Sequence, residues 1–128
     1  MNPAIIRFLF RIQLAFTLLI ISWLAFTPET DAVPGFFWDK GNHLCAFFVL
    51  AALVDYSFLN HSWSGWCGLA IYGIGIECGQ WLLQYRNFEL NDIIADVAGL
   101  TLYILSRPVI DRIRFLRKLR KGEPLNEQ

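Results

Sequence analysis

Three groups of polar side chains in this 128-residue chain stand at helical spacing within otherwise apolar sequence. Their members, spaced by one to four residues, are Asp39, Lys40 and His43; Glu77, Gln80 and Gln84, with Arg86 just beyond; and Asp92 and Asp96. Residues three or four apart are neighbours on a helix surface. Each group therefore predicts a polar stripe along one face of a helix.

The residue types in these stripes fit two kinds of ligand. Lys40, His43 and Arg86 could hold an anionic headgroup or a phosphate, which Arg binds through two parallel hydrogen bonds. The carboxylates and His43 could bind a divalent metal, since hard oxygen ligands suit magnesium, calcium or manganese. This candidate metal set is Asp39, His43, Glu77, Asp92 and Asp96. A third interpretation is a structural network of ion pairs and hydrogen bonds that fixes helix register.

The elements that carry these stripes have the composition of a membrane protein. Apolar residues make up 55% of the chain and charged residues 17%, whereas a soluble domain carries about 25% charged residues. A helix that spans a bilayer needs roughly 20 mostly apolar residues, and four stretches qualify, at about residues 5–26, 41–59, 63–84 and 92–108. We therefore predict an all-α, integral membrane four-helix bundle formed by residues 1–110.

The basic residues predict the orientation of this bundle, because Lys and Arg stay on the cytoplasmic side. Arg7 and Arg11 lie near the N-terminus, and six of the eleven basic residues lie between Arg112 and Lys121. Both termini are then cytoplasmic, in a multi-pass protein of the cell inner (cytoplasmic) membrane. All three polar stripes fall at the outer end, where we expect one outward-facing pocket.

The basic tail, residues 111–128, has two interpretations. We favour a simple orientation anchor over an amphipathic helix that lies on the anionic inner leaflet. Nucleic-acid binding is not expected, because the basic run is short and lacks a recognisable fold signature. Residues 122–128 are expected to be disordered.

Three further features bear on the bundle itself. Glu77 lies inside the third stretch, where a charge needs a partner and faces the bundle interior. Asp55 lies near the inner end of the second stretch, where we expect it to reach water and to serve topology. Gly75-x-x-x-Gly79 is a small-xxx-small pattern that predicts close packing within the bundle, with a homodimer seam as the alternative.

The ordered set of motifs resembles the VanZ-like family. The motifs are Asp39-Lys40-x-x-His43-x-x-x-Phe47, then Glu77-x-x-Gln80-x5-Arg86, then Asp92-x-x-x-Asp96-x-x-Gly99. The resemblance implies a small membrane protein of the cell envelope, since the type member is associated with low-level teicoplanin resistance. It carries functional positions over to Asp39, Lys40, His43, Glu77, Gln80, Arg86 and Asp92. The family usually has Asn in place of Asp96, so this chain gains a negative charge there, which favours a cation or a protonated carboxyl.

Residues and resemblance together predict a non-enzymatic protein with membrane lipids as partners. Its pocket is expected to bind an envelope lipid headgroup or a lipid-linked precursor, with an effect on glycopeptide susceptibility. The alternative is a metal-assisted membrane hydrolase that acts on a lipid-linked phosphate. A carrier through Glu77 ranks last, because no polar stripe continues towards the inner side. The sequence identifies no cofactor, and a divalent metal is the one candidate.

Overall fold

The described residues of the computed structural model are 2–27, 39–58, 62–84 and 88–123, and they contain five helices and no strand. The helices are α1 (Pro3–Ala25), α2 (Asp39–Ser57), α3 (Ser62–Leu82), α4 (Leu90–Ile110) and α5 (Arg114–Lys121). The all-α prediction is confirmed. The four long helices agree with the four predicted stretches to within two residues at each end. Arg86, the side chain of Asp39 and residues 124–128 lie outside the described part.

Local sequence explains where α1 begins. Helix α4 extends two residues beyond its predicted end. The Asn2 side chain accepts a hydrogen bond from the Ala4 backbone N–H at 2.9 Å, and Pro3 takes the first helical position. Proline suits that position because its missing N–H would have no partner there. Near the other end of the bundle, α4 continues past Pro108, and the Asp111 N–H donates to the Arg107 carbonyl at 2.8 Å.

Side-chain contacts show that α2 and α4 lie side by side and run in the same direction. His43 meets Asp96 near the start of both helices, and Asp55 meets Arg107 near their ends. Helix α3 runs the opposite way between these ends, and α2 contacts each of the other four helices. The bundle thus has two ends, here called the Glu77 end and the Asp55 end.

An apolar layer fills the middle of the bundle and separates its two ends. Trp66 lies within it and donates its indole N–H to the Ala51 carbonyl at 3.1 Å, so its polar atom is satisfied. The buried residues of this layer are Leu14, Phe47, Leu50, Ala51, Leu53, Val54, Trp66, Leu69, Leu100 and Tyr103.

The outside of the bundle carries large apolar side chains, while several carboxylates are buried. Ile71 is 71% exposed, and Leu19, Trp23 and Leu105 are exposed to a similar degree. A soluble monomer rarely shows such a continuous apolar surface. Two of the helices, α1 and α4, are long and apolar enough to cross a membrane.

Gly75 and Gly79, the predicted small-xxx-small pair of α3, have different surroundings. A Cβ at Gly79 would meet the ring of Phe26 at 2.8 Å, so Gly79 packs within the bundle. A Cβ at Gly75 would meet nothing within 4 Å. Close packing within the bundle therefore occurs at Gly79 and not at Gly75. A homodimer seam stays a prediction.

The contact between α2 and α4 depends on Gly99. A Cβ at Gly99 would meet the Leu44 carbonyl oxygen and, at 3.1 Å, the Cβ of Phe47. A backbone carbonyl in a helix cannot move aside as the end of a flexible side chain can. We expect Gly99→Ala to lower the free energy of unfolding by about 1–3 kcal/mol, the usual effect of overpacking.

The measurement is reversible unfolding of the detergent-solubilised protein, with Gly75→Ala as the matched control. Because Gly75 has open space around it, its replacement should leave stability unchanged or raise it slightly. Equal stability of the two variants would show that α2 and α4 do not approach each other at Gly99.

Candidate functional site

Three helix ends bring their polar side chains together at the Glu77 end. Lys40 and His43 come from the first turns of α2, Asp92 and Asp96 from the first turns of α4, and Glu77 from the last turns of α3. The expected convergence is observed: His43, Glu77 and Asp92 each offer a ligand atom, and these atoms lie within 4.8 Å of one another. Glu77 faces the bundle interior and is 2% exposed.

His43 lies between the two carboxylates of α4. Its Nδ1 is 2.8 Å from Asp96 Oδ1, and its Nε2 is 3.6 Å from Asp92 Oδ2. A neutral imidazole that donates from Nδ1 to Asp96 presents the lone pair of Nε2 towards Asp92. Two electron-rich groups then face each other, an arrangement that a proton or a metal cation between them would stabilise.

Glu77 and Asp92 each bury an oxygen that has no hydrogen-bond partner in the described part of the chain. These atoms are Glu77 Oε1 and Asp92 Oδ1. The other oxygen of Glu77 accepts from the Glu89 backbone N–H at 3.4 Å, and Lys40 Nζ is 3.6 Å from Asp92 Oδ1. Buried polar atoms are normally satisfied. Asp92 Oδ1 has Lys40 as an ion-pair partner, whereas Glu77 Oε1 has room in its bonding for a proton or a cation.

Carboxylates outnumber basic side chains among the described residues at this position. Four carboxylates surround the triad of His43, Glu77 and Asp92 or belong to it, whereas Lys40 is the one described lysine or arginine that pairs with them. The four are Glu77, Glu89, Asp92 and Asp96. The described residues alone would therefore repel a phosphate. The basic group that was expected to offset it, Arg86, lies outside the described residues.

The predicted stripe on α3 holds for Gln80 but not for Gln84. Gln80 is buried, and its amide donates to the Ala25 carbonyl at 2.8 Å, which ties the end of α1 to α3. Gln84 lies beyond the end of α3 in a left-handed conformation, with φ 57°, and is exposed. Helical spacing no longer applies there, so Gln84 does not share the buried stripe.

Glu89 is a member of the cluster that the sequence interpretation omitted. Its carboxylate is 3.2 Å from Lys40 Nζ, and its backbone N–H reaches Glu77. Glu89 precedes α4 and belongs to no helical stripe, so spacing could not place it. Its position just before the first turn of α4 was the available signal.

Asp55 at the opposite end contradicts the expectation of a water-accessible topological residue. It is 3% exposed and accepts hydrogen bonds from the Ser62 hydroxyl at 2.7 Å and the Tyr103 hydroxyl at 3.0 Å. Arg107 Nε lies 3.1 Å from the same carboxylate. The reason is geometric, since the ends of α2 and α4 lie side by side and the start of α3 closes over them.

The tail forms a helix that folds back onto the bundle. Arg120 of α5 holds the Asp111 carboxylate through two hydrogen bonds, one of them 3.1 Å from Nε. Its Nε is also 3.9 Å from Asp55. Burial lowers the pKa of Arg120, but the hydrogen bond and charge of Asp111, with the nearby Asp55 and Tyr103, more than offset burial, so the pKa is raised. Gly122, with φ 68°, ends α5, and residues 122 and 123 are described, so the expected disorder does not hold for these two residues.

Comparison with known proteins finds one relationship that covers nearly the whole chain. The chain is 35% identical over 130 residues to the uncharacterized protein C11E3.10 of the fission yeast Schizosaccharomyces pombe. The match covers 94% of this chain and 77% of the yeast protein. No family model and no solved structure matches the chain.

The Asp55 contacts predict strong coupling between Asp55 and Arg107. Removal of either partner leaves the other charge partly buried, so Asp55→Ala and Arg107→Ala should each destabilise the fold. Because both lose the same interaction, the double variant should fall short of their sum by about 1–3 kcal/mol. A double-mutant cycle on the free energy of unfolding measures this coupling. Additive effects would mean that the 3.1 Å contact contributes no net stability.

Proposed function

The chain belongs to the same family as the fission yeast protein C11E3.10, and we propose that it is a VanZ-like, four-span integral membrane protein with both termini cytoplasmic. Its Glu77 end binds a divalent cation and, through that cation, the phosphate of an envelope lipid headgroup or a lipid-linked precursor. The resemblance extends the proposal to a multi-pass protein of the inner membrane that affects glycopeptide susceptibility.

The distribution of apolar and polar groups supports four spans. Helices α2 and α3 carry polar residues near their ends, and several of these are buried among neighbouring helices. Ile71, near the middle of α3, instead faces outward. In a bilayer, ionisable side chains face the bundle interior and pair with one another. The buried carboxylates and the apolar outer surface follow this rule.

The single observation that carries the cation site is the triad of His43, Glu77 and Asp92, whose ligand atoms lie within 4.8 Å of one another. Two of its buried oxygens accept no hydrogen bond from the described residues. An imidazole and two carboxylates suit manganese or zinc, and three protein ligands leave coordination positions open. Asp96 bonds the second ring nitrogen of His43 at 2.8 Å. Carboxylates orient the metal-binding histidines of known sites in the same way.

The open positions on such a cation explain how an acidic site can recognise a phosphate lipid. Phosphate oxygens are hard ligands that join carboxylates around divalent metals. Lys40, held by Glu89 at 3.2 Å and close to Asp92, supplies a nearby positive charge. The cation therefore reverses the repulsion that the carboxylates alone would exert on a phosphate.

The second candidate is a metal-assisted hydrolase. It is favoured by the hydrogen bond between Asp96 and His43 of the triad, which would orient this ligand. A metal that holds both a phosphate and a water can activate that water for attack. Binding and hydrolysis use the same ligands and differ in whether phosphate is released from the lipid.

We expect the purified full-length protein to bind one Mn²⁺ or Zn²⁺ ion. Glu77→Gln removes a ligand charge and should weaken binding by more than about tenfold. Asp96→Asn, which leaves the three ligands in place, should weaken it by about 10–100-fold. Titration calorimetry and the Mn²⁺ electron paramagnetic resonance signal measure both. Glu123→Gln makes the same chemical change at an exposed position and should have no effect.

Two results would count against this proposal. Metal binding that is equal in Glu77→Gln and Glu123→Gln would remove the triad as the site. Phosphate-lipid binding that persists after chelation would remove the cation from recognition. Metal-dependent release of phosphate from a lipid-linked diphosphate would replace simple binding by the hydrolase.

The spans themselves are tested at Ile71. In sealed vesicles, an Ile71→Cys thiol in a variant without Cys45, Cys67 and Cys78 should resist a charged maleimide, because hydrocarbon covers it. The same thiol should also react slowly with an apolar maleimide, because the reactive thiolate is disfavoured in hydrocarbon, and it should react with both reagents once the protein is unfolded in detergent. Arg117→Cys on exposed α5 is the control and should react with the charged reagent when its side of the membrane is accessible. Rapid labelling of both positions by the charged reagent would contradict a membrane-spanning α3.

A further inference from the structure

A cavity of about 300 Å³ opens at the Asp55 end, remote from the triad. Its walls come from α2, α3, α4 and α5, and the lining includes Asp55, Ser62, Trp63, Arg107, Arg120 and Lys121. This volume falls within the usual range for small-molecule sites. Neither the resemblance nor the proposed cation site assigns it a role.

The lining side chains leave an excess of positive charge. Three cations line the cavity, Arg107, Arg120 and Lys121. Two carboxylates offset them, Asp55 in the lining and Asp111 beside Arg120, which leaves one positive charge in excess. Lys121 makes no ion pair with any acidic side chain in the described residues and is exposed. A guanidinium carries five N–H donors, and Arg107 uses Nε on Asp55. Donors therefore remain after the internal contacts are satisfied.

Two of these cations are already held in place. The Arg107 guanidinium lies over the ring of Trp66, 5.2 Å from its centroid, while Asp55 holds its Nε. Arg120 is fixed by Asp111. An anion that enters the cavity would meet positioned donors instead of having to order long side chains, which reduces the entropic cost of binding.

We propose that this cavity binds a phosphate group, supplied by the headgroup of an anionic phospholipid or by a soluble phosphate compound. Planar guanidinium groups recognise phosphate oxygens through paired hydrogen bonds. Trp63 lies at the cavity and is 69% exposed, and tryptophan is enriched at the headgroup level of membranes. The site is independent of the metal triad at the other end.

The test uses the full-length protein in mild detergent and counts bound molecules by native mass spectrometry. One arm adds phosphatidylglycerol, a second adds phosphatidylcholine, and a third adds inorganic phosphate. Arg120→Gln/Lys121→Gln removes two lining charges, and Arg114→Gln/Arg117→Gln removes two exposed charges of the same helix. Lys121→Gln against Arg117→Gln repeats the comparison without disturbing the Asp111 contact.

We expect the lining double variant to lose at least about tenfold in affinity for phosphatidylglycerol or phosphate, the effect of losing charge-assisted hydrogen bonds. Lys121→Gln should show a smaller loss in the same direction, and both control variants should bind within about twofold of the natural protein. Competition by inorganic phosphate supports the shared chemistry, and a requirement for phosphatidylglycerol identifies the lipid source. Equal losses in lining and control variants would overturn the cavity site, because they would show that any positive charge on α5 attracts the anion. Glu77→Gln should leave this binding unchanged, so failure of the metal site and failure of the cavity are distinguishable.

Discussion

A buried carboxylate must find a partner, and this requirement organises both ends of the bundle. Removing an ion from water costs several kcal/mol unless hydrogen bonds and an opposite charge replace the solvent. Asp55 meets the requirement internally, with Ser62, Tyr103 and Arg107 around it. Within the described residues, Glu77 meets it only in part, since its Oε1 has no hydrogen-bond partner, and Asp92 Oδ1 has Lys40 Nζ at 3.6 Å. This contrast separates Asp55, whose partners lie within the bundle, from the carboxylates that we propose to bind a cation.

The close packing of α2 against α4 brings the partners at both ends within contact distance. Because the two helices run in the same direction, a single register places His43 beside Asp96 and Asp55 beside Arg107. Gly99 permits the contact by leaving room for the carbonyl of Leu44. The packing of an apolar middle thereby sets distances at two polar ends that share no residue.

The sequence predicted the helices and the convergence at Glu77 because both follow from local rules. Hydrophobic length defines a helix, and spacing of three or four residues defines its polar face. Asp55 was misjudged because its burial depends on α3 and α5 closing over the helix ends, which no local pattern encodes. Glu89 was missed because a residue outside a helix has no periodic position. Gln84 was misplaced because α3 ends at Leu82, two residues before the stripe would reach it.

Helix α1 contacts the other helices through a small number of buried side chains and a few polar contacts. Ile6 and Leu14 are its buried residues, and polar contacts join it to the rest, through Arg11 to Ser57, Ser22 to Tyr72, and Ala25 to Gln80. At 1.5 Å per residue, its 23 residues reach about 34 Å, slightly more than a typical hydrocarbon core of about 30 Å. Within a bilayer this excess is relieved by tilt. Because Leu14 lies in the core and Phe10, Leu18 and Ile21 pack against it, such a tilt of α1 would have to be shared by the helices that it contacts.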